Sequence, residues 1–291
     1  MFIVAAREKN MKKTIAVVIV ILAIFVSCQT TPKSITDSVL VLMPADGLIY
    51  LTIKADEWPE TNNIYKIFSL YMPDISDKQL ESIEEIDYFI ISFNKIDGLD
   101  VSILIQGNFP SLKQFMDYGE NQTWRQDANT WYNLQSSVFI SEPYPGTYFI
   151  RTRPDSMRRS ASPEQQGKFK ELITKMHEST LSLSVNIFDL GISKSEYDRV
   201  IMGFSYNNDM YRIKTTFTYN DKVSGNNKIE YSKLFFRIWM TTVFQPQDAY
   251  RIMNECKWEI DKNGNVVCVV DIPKELFDDA ENIIDTLKQI E

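Results

Sequence analysis

The sequence predicts an α+β protein: a mostly antiparallel sheet covered by amphipathic helices, built as two halves that repeat one pattern of elements. Three observations predict it. Segments rich in Val, Ile, Tyr and Phe alternate in polarity, among them LIYLTIK (48–54), DYFIISF (87–93), LDVSILI (99–105) and YRIKTTFTY (211–219), which is the signature of strands. Turn residues, Asp97-Gly98 above all, join neighbouring segments as hairpins and so favour antiparallel pairing. Between the hairpins, apolar residues recur at helical spacing, as Ile64, Ile67, Phe68 and Tyr71 do.

The first half, 45–153, opens with the strand LIYLTIK, and a helix spans 59–72. A second short helix starts near Ser76, with Leu80 and Ile83 on one side. The hairpin 87–93/99–105 follows, and Gly107-Asn108-Phe109-Pro110 ends it. Ser111 opens a helix that turns Leu112, Phe115 and Met116 inward. A polar loop at 119–130 leads to WYNLQSSVFIS (131–141), and Pro143–Gly146 turns the chain into TYFIRT (147–152). The boundary falls at 153–166, where Arg153, Arg158 and Arg159 sit among prolines and serines with few apolar residues.

The second half, 154–291, uses the same grammar and is expected to form one compact unit with the first. Ser162-Pro163 reads as an N-cap followed by proline at the first helical position, and Phe169, Leu172, Ile173 and Met176 are the buried face of the helix it starts. LSLSVNIF (181–188) alternates as a half-buried strand. VIMGFSY (200–206) and YRIKTTFTY form a hairpin through Asn207-Asn208-Asp209. A polar loop at 221–227 precedes helices at 231–244 and 246–255. KWEI and VVCVVDI form the last hairpin through Asn263-Gly264, and a closing helix carries Leu276, Phe277, Ala280, Ile283, Ile284 and Leu287 on one face. The repetition between halves is one of pattern, not of residues.

The N-terminus carries an address. Lys12 and Lys13 precede an apolar run from Ile15 to Val26, then Ser27 and Cys28. A basic start, a short apolar middle and a small residue at the end make a secretory signal. The run is shorter than the about 20 apolar residues that a spanning helix needs. Phe25-Val26-Ser27-Cys28 resembles a bacterial lipobox, with Phe where Leu is usual. That resemblance implies that residues 1–27 are removed, Cys28 is acylated and 28–44 tethers the fold to a membrane. Residues 1–10 precede the basic start and read as an upstream extension. An ordinary cleaved signal with a chance cysteine is the bland alternative.

Cleavage at Cys28 removes Arg7, Lys9, Lys12, Lys13 and Glu8. The mature chain then holds 27 basic and 38 acidic residues, a net charge of −11. That balance argues against nucleic acid and against a polybasic grip on anionic lipid. Cys256 and Cys268 flank the last hairpin. A two-residue turn at Asn263-Gly264 would set Cys268 opposite Glu259, so a disulfide requires Cys256 to leave the strand, as at a helix end. Two buried free thiols are the commoner outcome.

No nucleophile elbow, phosphate-binding loop, dinucleotide fingerprint or paired-cysteine metal motif is present in the sequence. His177 is the one histidine, beside an apolar helical position where a structural role is the expectation. The carboxylates Glu84, Glu85, Asp97 and Asp100 sit where turns and helix ends call for acids. The expectation is a protein that is not an enzyme and uses no cofactor or metal.

The informative stretch is YSKLFFRIWMTTVF (231–244), apolar almost all round, with Lys233 and Arg237 its only charges. Such a helix is either deeply buried or membrane-seeking. In the first reading it is sandwiched between sheet and neighbour. In the second, Leu234, Phe235, Phe236, Ile238, Trp239, Met240 and Phe244 enter an acyl boundary, with Tyr65 and Phe68 of the earlier helix as further contacts.

The order of elements, from Ala45-Asp46 and LIYLTIK through Gly107-x-Phe109-Pro110, Trp124 and Thr130-Trp131-Tyr132 to the closing NGN hairpin, resembles the treponemal concealed outer-membrane lipoprotein family. The resemblance implies an α/β/α fold and a lipid-anchored protein. Its helices would insert into the periplasmic leaflet of the outer membrane, alter permeability or hold lipid in an apolar cavity, with no catalytic residues. The strongly acidic mature chain departs from a tight binder of anionic bilayers. The competing expectation is a periplasmic binding or scaffold module whose helices are all core and whose partners are proteins. The inner membrane and the cell surface stay open as locations.

Overall fold

The computed structural model describes residues 40–54, 76–82, 85–95, 100–119, 123–133, 137–152, 162–186, 197–207, 210–219 and 225–273. Twelve strands join in one sheet, and every pairing is antiparallel. They are β1 (Ile49–Lys54), β2 (Glu85–Lys95), β3 (Asp100–Asn108), β4 (Trp124–Asp127), β5 (Thr130–Asn133), β6 (Phe139–Tyr144), β7 (Thr147–Arg151), β8 (Leu181–Asn186), β9 (Tyr197–Asn207), β10 (Met210–Tyr219), β11 (Lys257–Ile260) and β12 (Val266–Pro273). Their order across the sheet is β11-β12-β10-β9-β8-β1-β2-β3-β7-β6-β5-β4. The described helices are α1 (Asp77–Glu81), α2 (Leu112–Asp117), α3 (Pro163–Met176), α4 (Gly225–Val243) and α5 (Pro246–Glu255).

This corrects the expected fold class. Helices do not cover the sheet in α/β/α layers; one 12-stranded antiparallel sheet is the fold, and the described helices are local covers. The physical reason is the seam between β1 and β8. Leu51 faces Leu183 and Ile53 faces Leu181, so the strands of the early and late chain fuse into one continuous sheet. Two helices expected from periodicity, at 59–72 and 276–287, lie outside the described residues, as does Ile83.

Period two sorts the side chains onto two faces. On one face Leu51, Ile53, Phe89, Ile91, Ile103, Ile105 and Ile150 pack beneath Leu112, Phe115 and Met116 of α2. Val185 and Phe204 carry that core across the seam into Ile213, Phe217, Val266, Cys268 and Val270, which α4 and α5 cover. On the other face Tyr50, Tyr88, Ile90, Leu104 and Phe149 meet Leu40, Met43 and the Phe169, Ile173 and Met176 row of α3.

The second cover explains why β8 is not half-buried as its alternation suggested. Ser182 and Ser184 are fully buried. Their hydroxyls are partnered there: Ser182 Oγ donates to the Met176 carbonyl at 2.6 Å, and Ser184 Oγ accepts from Arg199 Nη1 at 3.0 Å. Gly47 is required by the same face. Its N–H donates to the Tyr50 hydroxyl at 2.6 Å, and a Cβ would lie 2.7 Å from the tyrosine ring.

The caps fall where the sequence placed them. Ser162 and Gln165 make a reciprocal capping box with Pro163 behind it, and Ser111 Oγ accepts from Gln114 N at 3.3 Å. Three local details differ. β4 occupies the expected polar loop, hairpinned to β5 through Ala128 at φ 49°. The stretch 131–141 is two strands, β5 and β6, with 134–136 outside the described residues. The last hairpin turns through five residues: Gly264 N donates to the Asp261 carbonyl at 3.0 Å and Gly264 takes φ 79°. That is a type I turn closed by a left-handed residue, and it sets Cys268 opposite Trp258, not Glu259.

Candidate functional site

Helix α4 runs from Gly225 to Val243, about 28 Å at 1.5 Å per residue. It begins earlier than the periodic apolar residues suggest. Its seat on the sheet is the i, i+4 row Ser232, Phe236 and Met240, continued past the helix by Phe244, all buried. Serine at the first of these positions is satisfied by the Tyr219 hydroxyl at 2.6 Å. Tyr219 also donates to the Lys228 carbonyl, and Lys228 Nζ reaches the Gly264 carbonyl at 3.3 Å. These bonds pin the N-terminal end of α4 to the ends of β10 and the last hairpin.

Beneath its middle lies an aromatic cluster. Phe236 stands perpendicular to Trp258 at 5.7 Å and tilted against Trp239 at 5.6 Å. Phe217 of β10 meets Phe235 edge-on at 5.8 Å and stacks near Trp258 at 6.3 Å. Trp239 reaches Phe204 of β9 at 6.2 Å. Such pairs add roughly 0.5–1.5 kcal/mol each beyond burial, so α4 is fixed to the sheet along its length.

The opposite side of the same helix is apolar and exposed. Leu234 is 56% exposed, Ile238 60% and Tyr231 37%. They fall at i, i+3 and i+7, one stripe. Polar groups border it: Lys233 Nζ bonds Glu230 Oε1 at 2.9 Å, and Arg237 donates to the Tyr250 hydroxyl of α5 at 2.6 Å while lying over its ring at 5.2 Å. Tyr250 is itself exposed. The arrangement is an apolar ridge bordered by the Lys233–Glu230 ion pair and the Arg237–Tyr250 contact.

The residues that the sequence grouped together therefore separate. Phe236, Met240 and Phe244 are core, and Phe235 and Trp239 are half-buried against it. Leu234 and Ile238 are outward. Burial takes Phe236, Met240 and Phe244 off any surface because the sheet needs their row as its cover. Cys28, Tyr65 and Phe68 lie outside the described residues. Tyr231 and Tyr250, which the sequence reading did not select, join the exposed set; the signal for Tyr231 was its spacing of three and seven from Leu234 and Ile238.

His177 closes α3, and its ring meets Tyr88 edge-on at 5.6 Å. Burial, then the Lys54 charge, lowers its pKa to about 4. Among the described residues no three Cys, His, Asp or Glu side chains cluster as metal ligands, and no helix is long and apolar enough to cross a membrane.

No protein-family model matches the chain, and no curated protein matches it in sequence. Solved structures similar to it include three crystal forms of TP0453 from Treponema pallidum. Form I is 10% identical with a TM-score of 0.48, over 86% of this chain and 98% of that one. Form III is 13% identical at 0.47 over 87% and 99%, and form IV 9% identical at 0.46 over 87% and 97%.

Proposed function

We propose that this chain is a non-enzymatic, lipid-anchored envelope protein. In this reading acylated Cys28 holds it to the periplasmic leaflet of the outer membrane, and the Tyr231–Leu234–Ile238 stripe of α4 rests on that leaflet. The observation that carries the reading is the two-sidedness of α4: one row locked into an aromatic core, the other leaving large apolar side chains in water. Full burial of such a side chain is worth about 1.5–3 kcal/mol. Leu234 and Ile238 have somewhat over half of that left to gain, together about 2–3 kcal/mol. That is too little to hold a protein on a membrane and enough to orient one already held by acyl chains. The net charge of −11 in the mature chain makes a neutral leaflet the better surface.

The test uses the acylated protein in vesicles of brominated phosphatidylcholine, with tryptophan fluorescence as readout. Trp239 lies one residue from Ile238. Wild type is expected to be quenched, and Leu234→Glu/Ile238→Glu to lose that quenching with an unchanged circular dichroism spectrum. Equal quenching, or none, in both proteins removes the leaflet contact. It would favour the second reading, a scaffold or binding module with protein partners, for which the burial of Phe236, Met240 and Phe244 speaks.

A further inference from the structure

The described residues contain two cysteines, both free, and the fold places both at one apolar cluster. Cys256 is the C-cap of α5, with φ −63° and ψ 126°, so the chain leaves the helix extended and enters β11 one residue later. Cys268 lies within β12, paired with Trp258. Cys256 precedes Trp258 by two positions, and period two turns both toward the face that holds Cys268. Cys268 is fully buried in the α4–α5 core, and Cys256 packs against that same cluster while keeping part of its surface. Cys256 Sγ donates to the Ile252 carbonyl at 3.4 Å, on the side of α5 that packs against this cluster.

We propose that Cys256 and Cys268 are a built oxidation site, a dithiol that closes to a reversible disulfide when a small-molecule or protein disulfide is presented as oxidant. Cys256 is the entry thiol because it alone of the pair keeps accessible surface. Its thiolate attacks one sulfur of the oxidant, forming a mixed disulfide and releasing the oxidant's other sulfur as a thiol. Cys268 then attacks the Cys256 sulfur as its proton passes to the departing sulfur. The Cys256–Cys268 bond forms, the mixed disulfide breaks, and a second thiol leaves. Two electrons pass from the pair to the oxidant. The neighbouring Cys256 thiol, with burial, pushes the Cys268 thiol up, and its full burial makes it the resolving partner and not the first to react. The bridge would clip the end of α5 to β12 and hold the α4–α5 corner on the sheet. This site is independent of the membrane reading above.

The experiment uses the full chain carrying Cys28→Ser, which leaves Cys256 and Cys268 as its only thiols. It is equilibrated with mixtures of oxidised and reduced glutathione, acid-quenched, unfolded, labelled with maleimide and weighed. The folded chain is expected to lose two hydrogens, take no label and yield a 256–268 cross-linked peptide, all reversed by dithiothreitol. Neighbouring thiols act at high effective concentration, so the folded chain should close at an oxidant ratio at least about tenfold lower than the urea-unfolded chain. A second variant, Cys268→Ala, should stop at a stable glutathione adduct on Cys256. Two labelled thiols at an oxidant ratio that bridges the unfolded chain, a persisting adduct in the two-thiol protein, or a disulfide-linked dimer overturns the proposal. So does a Cys256→Ala chain whose Cys268 takes glutathione as fast as Cys256 does in Cys268→Ala.

Discussion

Phe236→Ala tests whether α4 is seated as described. Phe236 is 1% exposed and touches Trp239 and Trp258 at 5.6 and 5.7 Å. Removing a buried phenylalanine ring costs about 3–5 kcal/mol, transfer and residual cavity together. The upper half of that range is expected here, since two aromatic contacts go with the ring and the rigid neighbours cannot collapse into the space. Leu234, two residues away on the same helix, is mostly in water, and Leu234→Ala should cost no more than about 0.5 kcal/mol. Urea unfolding followed by tryptophan fluorescence reads both. With a slope of about 2–3 kcal/mol per molar, Phe236→Ala should lower the midpoint by roughly 1.3–2.5 M and Leu234→Ala by a few tenths at most. A Phe236→Ala loss below about 1 kcal/mol, or equal losses in the two variants, would mean that α4 is not clamped by its Ser232–Phe236–Met240 row, and the outward stripe would lose its meaning.

Two further outcomes are expected. The folded-state pKa of His177 is lowered to about 4 from an ordinary 6.5, by burial and then by Lys54, so the unfolded chain binds the proton first. Stability should therefore fall as pH drops through 6.5 and level off near 4, with His177 accounting for at most about 3 kcal/mol; thermal melts of wild type and His177→Gln between pH 7.5 and 4 should differ in that slope, and parallel curves would refute the assignment. Ser162→Ala should remove about 1 kcal/mol by opening the α3 capping box, read as a lowered urea midpoint that Ser162→Asp largely restores.

The strands were legible because their alternation is strong, and Ser111 and Ser162-Pro163 announced their helices. The layering was not legible, because period two says which face a residue takes and not which strand lies beside it. Nothing local in IYLTIK says that β1 will be flanked by β8. The same gap hid Ser182 and Ser184, which read as a wet face and are buried under α3 and residues 40–43. The last hairpin slipped by one residue because Asp261, not the Asn263-Gly264 pair, organises it. Burial works against the Asp261 charge, but hydrogen bonds from the Asn265 side chain and backbone and the Asn263 N–H outweigh it and lower its pKa. In α4 the decisive row begins with a serine, so apolar counting alone could not separate the buried Phe236 and Met240 from the outward Leu234 and Ile238.

The β1–β8 seam also sets a timetable. Ile49 must wait for Val185, 136 positions later, before its second edge is hydrogen-bonded. Until then β1, whose six side chains are all buried in the finished sheet, stands as an open apolar edge of the kind that recruits other chains. The hairpins β2–β3 and β9–β10 are local and can form early, whereas closing the seam carries the entropy of a long loop. A chain cut short before Leu181 would keep that edge permanently and would be a seed for aggregation. A chain that emerges N-terminus first stays unable to complete its sheet until most of it is available.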